Sequence, residues 1–171
     1  MSHGLWLTAS LAIALSLGGV AALDGKADDL RLAQAQAPTF DPDKPYKIAP
    51  DGRVDWGTYD GYRRFNSICE TCHGFDGVGS SFAPSLINSL KRIPYDKFVE
   101  IVASGKKDVN SAQNLVMPAL GTDPNVMCYI DDIYAYLRAR ADGVLGPGRP
   151  AKHAPRPDSA KQAEDSCMGP S

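Results

Sequence analysis

The stretch Cys69-Glu70-Thr71-Cys72-His73 limits what this chain can fold into more than any other. Two cysteines three apart, with histidine directly after the second, fit the pattern for covalent attachment of haem. The spacing has a physical cause. At a helix end, cysteines so spaced can bond the two vinyl groups on one edge of the macrocycle, which brings the adjacent imidazole of His73 under the iron. Attachment prevents loss of the haem, and the haem adds core volume that a small domain lacks. The competing readings are weaker. A C-x-x-C pair can be a disulfide or a redox dithiol with His73 a bystander, but thioredoxin-like proteins need a βαβ setting that this chain does not offer. Zinc needs two further ligands at matching spacing, and Cys128 and Cys167 stand far apart with no accompanying histidine pair.

The first residues set the compartment. Residues 5–23 form an apolar run of 19 residues without a charge, rich in Leu and Ala and closing on the small residues Val20-Ala21-Ala22. This predicts a cleaved signal peptide over residues 1–22, although only the amino terminus and His3 supply positive charge ahead of it. The alternative is an uncleaved anchor, because such a run almost spans a bilayer. Either way the remainder lies outside the cytoplasmic membrane, in the periplasm, with no stable membrane insertion after signal cleavage. Disulfides persist there. Of the four cysteines, Cys128 and Cys167 then read as a pair. That bridge would tether the tail to the last helix and contribute about 3–4 kcal/mol by chain-entropy reasoning. The other possibility is a buried Cys128 with Cys167 free or paired between chains. A formal charge of −2 gives no sign of a nucleic-acid partner.

Residues 23–51 mix charge, Ala/Gln and Pro without a sustained apolar period, and read as an extended arm. A compact domain is expected over residues 52–142, and a Pro/Gly-rich tail over 143–171. Asp55 is a candidate N-cap for a helix whose buried face is Trp56, Tyr59, Tyr62, Phe65 and Ile68, running straight into the cysteine motif. A glycine-rich loop follows over residues 74–84. Short helices are expected at 86–90 and at 94–103, the latter with Tyr95, Phe98, Val99 and Val102 on one face and a stop at Ser104-Gly105. Residues 106–122 read as a loop. Pro124 starts a last helix through Arg140, with Val126, Tyr129, Ile130, Ile133, Tyr134 and Leu137 as its core stripe. No strand shows convincing alternation, so the fold class expected is all-α, a few helices around one haem.

An electron carrier wants both axial positions of its iron filled, and a thioether partner raises the potential relative to a second imidazole. Met117, before a proline in a loop, is better placed to swing its sulfur over the distal face than Met127, early in the last helix. Spacing alone leaves the choice open, since a buried methionine is usually core filler.

Over residues 61–137 the chain resembles class I cytochromes c. The resemblance rests on Gly61 and Phe65, the C-E-T-C-H motif, the G-F-D-G-V-G run, Pro84 with Leu86, Met117-Pro118 and the closing I-D-D-I-Y-A-Y-L-R helix. It implies that Met117 is the distal ligand and that the Pro84 carbonyl accepts a hydrogen bond from Nδ1 of His73, fixing the ring. It also implies that Gly61 lets the first and last helices cross closely, with Tyr134 or Tyr136 packed there. Longer stretches are similar to the cytochrome c-L group: F-D-P-D-K-P-Y-K, D-G-R-V-D-W, I-V-A-S-G-K-K-D-V-N-S-A-Q-N-L-V-M-P-A-L-G and N-V-M-C-Y-I-D-D-I-Y-A-Y-L-R-A-R. Members of that group are periplasmic acceptors for quinoprotein (PQQ) methanol dehydrogenases, including the lanthanide-dependent type. The resemblance implies no enzyme but a one-electron carrier with one covalent haem c, passing electrons on to another cytochrome c or a terminal oxidase. It also implies a disulfide-tethered tail and, in some members, a calcium ion near a haem propionate, for which no ligands can be matched here. The alternatives are a carrier for a different periplasmic dehydrogenase and a haem sensor with an open distal site. Lys91, Arg92, Lys106 and Lys107 are candidates for orienting a partner.

Overall fold

Asp55 begins the first helix as the sequence predicts. Its carboxylate accepts from the Thr58 amide at 2.9 Å, capping α1 (Trp56–Arg64). Arg63 and Arg64 sit in the last turn, where the helix dipole favours cations. The computed structural model describes residues 40–109 and 114–169. The expected signal peptide, residues 1–22, and the arm up to residue 39 lie outside the described residues. From Arg64 the chain continues without a break through a π-helical turn, Phe65–Cys69, into α2 (Glu70–His73). Gly74 ends α2 at φ 73°, a left-handed conformation that glycine adopts freely.

The remaining helices are α3 (Leu86–Ser89), capped by Ser85, and α4 (Tyr95–Ser104), stopped at Gly105. They are followed by α5 (Pro124–Met127), α6 (Ile130–Ala141) and α7 (Asp158–Met168). Alpha-helix α6 crosses α1 at Gly61. A Cβ there would lie 1.8 Å from the Asp132 carbonyl oxygen, so only glycine permits the approach. Of the two tyrosines considered for this crossing, Tyr136 takes the place. Its ring stands edge-on to Tyr62 at 5.5 Å and tilted to Phe65 at 5.6 Å. Tyr134 faces Tyr95 and Phe98 on α4 instead. Phe65, Leu90, Val126, Ile133 and Leu137 complete the centre of the core.

Three elements differ from the sequence reading. Residues 106–122 are not all loop: β1 (Lys106–Val109) and β2 (Asn114–Met117) pair antiparallel, with Lys106 opposite Met117. The alternation is confined to β2, where Leu115 and Met117 turn inward, and four residues are too few to register as a period. The single last helix is two, broken at Cys128-Tyr129, where Tyr129 leaves helical geometry at φ −126°, ψ 15°. The tail carries a helix, α7, none of whose residues is buried. Its sequence, DSAKQAEDSCM, favours helix but shows no apolar stripe. A disulfide from Cys128 to Cys167 holds it, and Tyr129 Oη and Arg156 both donate to Glu164.

The start of the domain is tied to both ends. Val54 bridges antiparallel to Ile48 and parallel to His153, and the Phe40 ring packs 4.9 Å from Tyr95.

Candidate functional site

The end of α2 carries the motif into a cleft of about 360 Å³ between α4, α6 and the hairpin. Cys69, Cys72 and His73 lie on one wall. Neither cysteine is in a disulfide; Cys69 is half-buried and Cys72 exposed. Burial, helped by the neighbouring Cys72, pushes the Cys69 thiol up to about 11.

His73 is buried, and its Nδ1 donates to the Pro84 carbonyl at 3.1 Å. Burial lowers the proton affinity of this imidazole, and the Pro84 contact partly opposes that. The ring is therefore neutral, with Nδ1 holding the proton and Nε2 left with its lone pair. That is the form a metal requires, with the orientation fixed from behind.

The loop over residues 74–84 makes this contact possible by turning back on the motif. The Gly79 amide donates to the His73 carbonyl at 2.7 Å, and Ser80 Oγ donates to the Cys72 carbonyl. A Cβ on Gly74 would stand 2.3 Å from the Gly79 carbonyl oxygen, so the closure depends on glycine.

Met117, at the end of β2 and followed by Pro118, also lines the cleft. Met127 is absent from the cleft wall and packs against the core cluster. The structure thus brings Cys69, Cys72, His73 and Met117 to one cavity and leaves Met127 out of it. Val102, Val126, Ile133 and Leu137 make much of the remaining lining apolar, while Arg92 and Lys106 stand at its rim. An apolar slot with two thiols, a neutral imidazole and a thioether suits a flat, largely apolar macrocycle whose iron takes nitrogen and sulfur ligands. Among the described residues no group of three or more His, Cys, Asp or Glu gathers to hold a free metal ion, and no calcium ligands are assigned.

Cys128 and Cys167 stand apart from the cleft, joined as the disulfide already described. Sequence reasoning missed Asp76, a charged residue only 1% exposed in the loop behind the motif. Its signal was a non-glycine residue among glycines: Asp76 adopts φ 56°, a region that Asp tolerates better than most residues. No helix among the described residues is long and apolar enough to cross a membrane.

Comparison with known proteins places this geometry among relatives. Residues 58–137 match the family described as cytochrome C oxidase, cbb3-type, subunit III. The chain is 58% identical over 123 residues to cytochrome c-553I of Paracoccus denitrificans, covering 72% of this chain and 54% of that one. It therefore spans about half the length of that relative. It is 38% identical over 96 residues to cytochrome c-555 of Methylococcus capsulatus, covering 56% and 72% of the two chains. Among solved structures it is similar to the c-type cytochrome XoxG from Methylobacterium extorquens AM1. That match has a TM-score of 0.61 and 41% identity, over 82% of this chain and 91% of the other.

Proposed function

The chain belongs to the class I c-type cytochromes, of the cytochrome c-L type, which bind haem c covalently, and we propose that it is a periplasmic one-electron carrier for a quinoprotein methanol dehydrogenase. It would hand the electrons to another cytochrome c or a terminal oxidase. The observation that carries this reading is the meeting of Cys69, Cys72, His73 and Met117 in one apolar cleft, with His73 hung from Pro84 by Nδ1.

Each residue has a distinct part. Cys69 and Cys72 would hold the haem as thioethers. His73 Nε2 and the Met117 sulfur would be the axial ligands, and Pro84 would fix the imidazole plane. When bound, the haem supplies reversible one-electron oxidation and reduction. The protein breaks and makes no bond in its partner's substrate.

Cys72 and Phe82 leave the edge of the cleft open, Phe82 being 70% exposed, and Arg92 and Lys106 flank it. An apolar edge lined also by Arg92, Lys106 and Asp108 suits a brief encounter with a partner surface, and electron-transfer complexes are characteristically small and short-lived.

The test is one preparation of exported protein from a host able to mature such haem proteins. Mass spectrometry is expected to show one added haem, and stopped-flow mixing with methanol-reduced dehydrogenase is expected to reduce it. Absence of the haem mass would overturn the site. Haem present without reduction would overturn only the partner.

A further inference from the structure

Asp76 sits three residues beyond His73 and is buried with its charge incompletely matched. Its Oδ1 accepts from the Tyr136 hydroxyl at 2.8 Å, and its Oδ2 accepts from the Gly148 amide at 2.8 Å. The nearest cation, Arg140, reaches Oδ2 only at 3.8 Å, beyond a good hydrogen bond. Arg140 is itself occupied elsewhere: its Nη1 donates to the Leu145 carbonyl at 2.6 Å, and its Nε is buried with no partner. Burial and the Asp76 carboxylate both hold the Tyr136 phenol protonated, so it remains a donor.

This cluster stands directly behind the cleft. A Cβ on Gly77, the residue after Asp76, would touch Leu137 at 3.1 Å and Leu86 at 3.6 Å, and both of these leucines line the cleft. Tyr136 and Arg140, one turn apart on α6, lie on the same side of Leu137. The tail at Gly148 bonds the carboxylate, which is only 1% exposed. A fixed charge in such an interior acts through a low effective dielectric, and salt screens it far less than a surface charge.

We propose that the buried Asp76 and the half-buried Arg140 form a pair of opposed charges that sets the reduction potential of the haem site from behind, separately from the axial ligands. Asp76 favours the oxidised, more positive centre. Arg140 offsets it, and Tyr136 positions the carboxylate. The inference rests on haem being bound as proposed above.

Equilibrium redox titration of holoprotein variants tests it. Asp76→Asn keeps the shape and the tolerance for left-handed backbone but loses the charge, and the potential is expected to rise. Arg140→Gln is expected to lower it, and the double variant to return toward the parent value. Tyr136→Phe leaves both charges in place and is expected to shift the potential less than Asp76→Asn. Spectra of the axial ligands should stay unchanged throughout. Shifts of the same sign for Asp76→Asn and Arg140→Gln, no shift for Asp76→Asn, or an equal shift for Tyr136→Phe would each overturn the proposal, because loosened packing moves all variants one way. A parent protein without haem would instead overturn the proposed function, and this inference with it.

Discussion

His73 Nδ1 and the Pro84 carbonyl oxygen are 3.1 Å apart across eleven residues of chain, and that single contact decides which nitrogen of the imidazole faces the cleft. Proline has no N–H to compete for partners, and its carbonyl is held in place by a loop whose Gly79 amide returns to the carbonyl of His73 itself. Ring orientation and loop closure are thus one construction. The loop's turn brings the acceptor, and the acceptor holds the ring.

Replacing Met117 tests the other face of the cleft. Met117→Ala is expected to leave the covalently attached haem in place but open a coordination position. The reduced variant should bind carbon monoxide rapidly, the oxidised variant should lose the weak far-red band of methionine ligation, and the potential should fall. Met127→Ala should do none of these and only destabilise, by less than the about 2–5 kcal/mol of a fully buried methionine, because Met127 is only partly buried. Carbon monoxide binding to the Met127 variant alone would reverse the assignment.

Gly61 is expected to tolerate no side chain. With the Asp132 carbonyl oxygen 1.8 Å from where a Cβ would be, Gly61→Ala must drive α1 and α6 apart. A loss of about 1–3 kcal/mol or more is expected from overpacking, read as a lower denaturant midpoint of the holoprotein. An unchanged midpoint would show that the helices can part freely.

The Cys128–Cys167 bridge closes 39 residues of sequence separation around a helix with no buried residue. Cys128→Ser together with Cys167→Ser should cost about 2–4 kcal/mol of stability. Amide exchange should show residues of α7 losing protection before any in α6, because little else holds α7 to the domain. Equal loss in both helices would argue against a local tether.

Asp132 gives stability a pH dependence. Burial first, then the nearby carboxylates of Asp60, Asp131, Asp55 and Glu164, raise its folded pKa to about 8 from an ordinary 3.8. The unfolded chain releases this proton at a lower pH than the folded one. Its contribution is therefore fully present below about pH 4 and lost as pH rises through about 8. Asp132→Asn should flatten that decline, so the variant gains relative to the parent as pH rises toward 9. Denaturant midpoints measured across this range give the comparison, and parallel curves for the two proteins would dispose of the argument.

The sequence alone determined what depends on near neighbours. The C-x-x-C-H spacing, the Asp55 cap, Pro124 at a helix start and the Gly105 stop are all written within a few residues, and each is set by local backbone geometry and hydrogen bonding. Tertiary structure decided what depends on distant segments meeting. It put Met117 rather than Met127 in the cleft wall, turned Tyr136 rather than Tyr134 toward Phe65, and tied Asp76 to Tyr136 and Gly148. The hairpin and α7 belong there too: one is too short to show a period, and the other has no apolar face and is held by a disulfide. Periodicity records which face of an element is buried, not which partner buries it, so these choices are settled only when the chain packs.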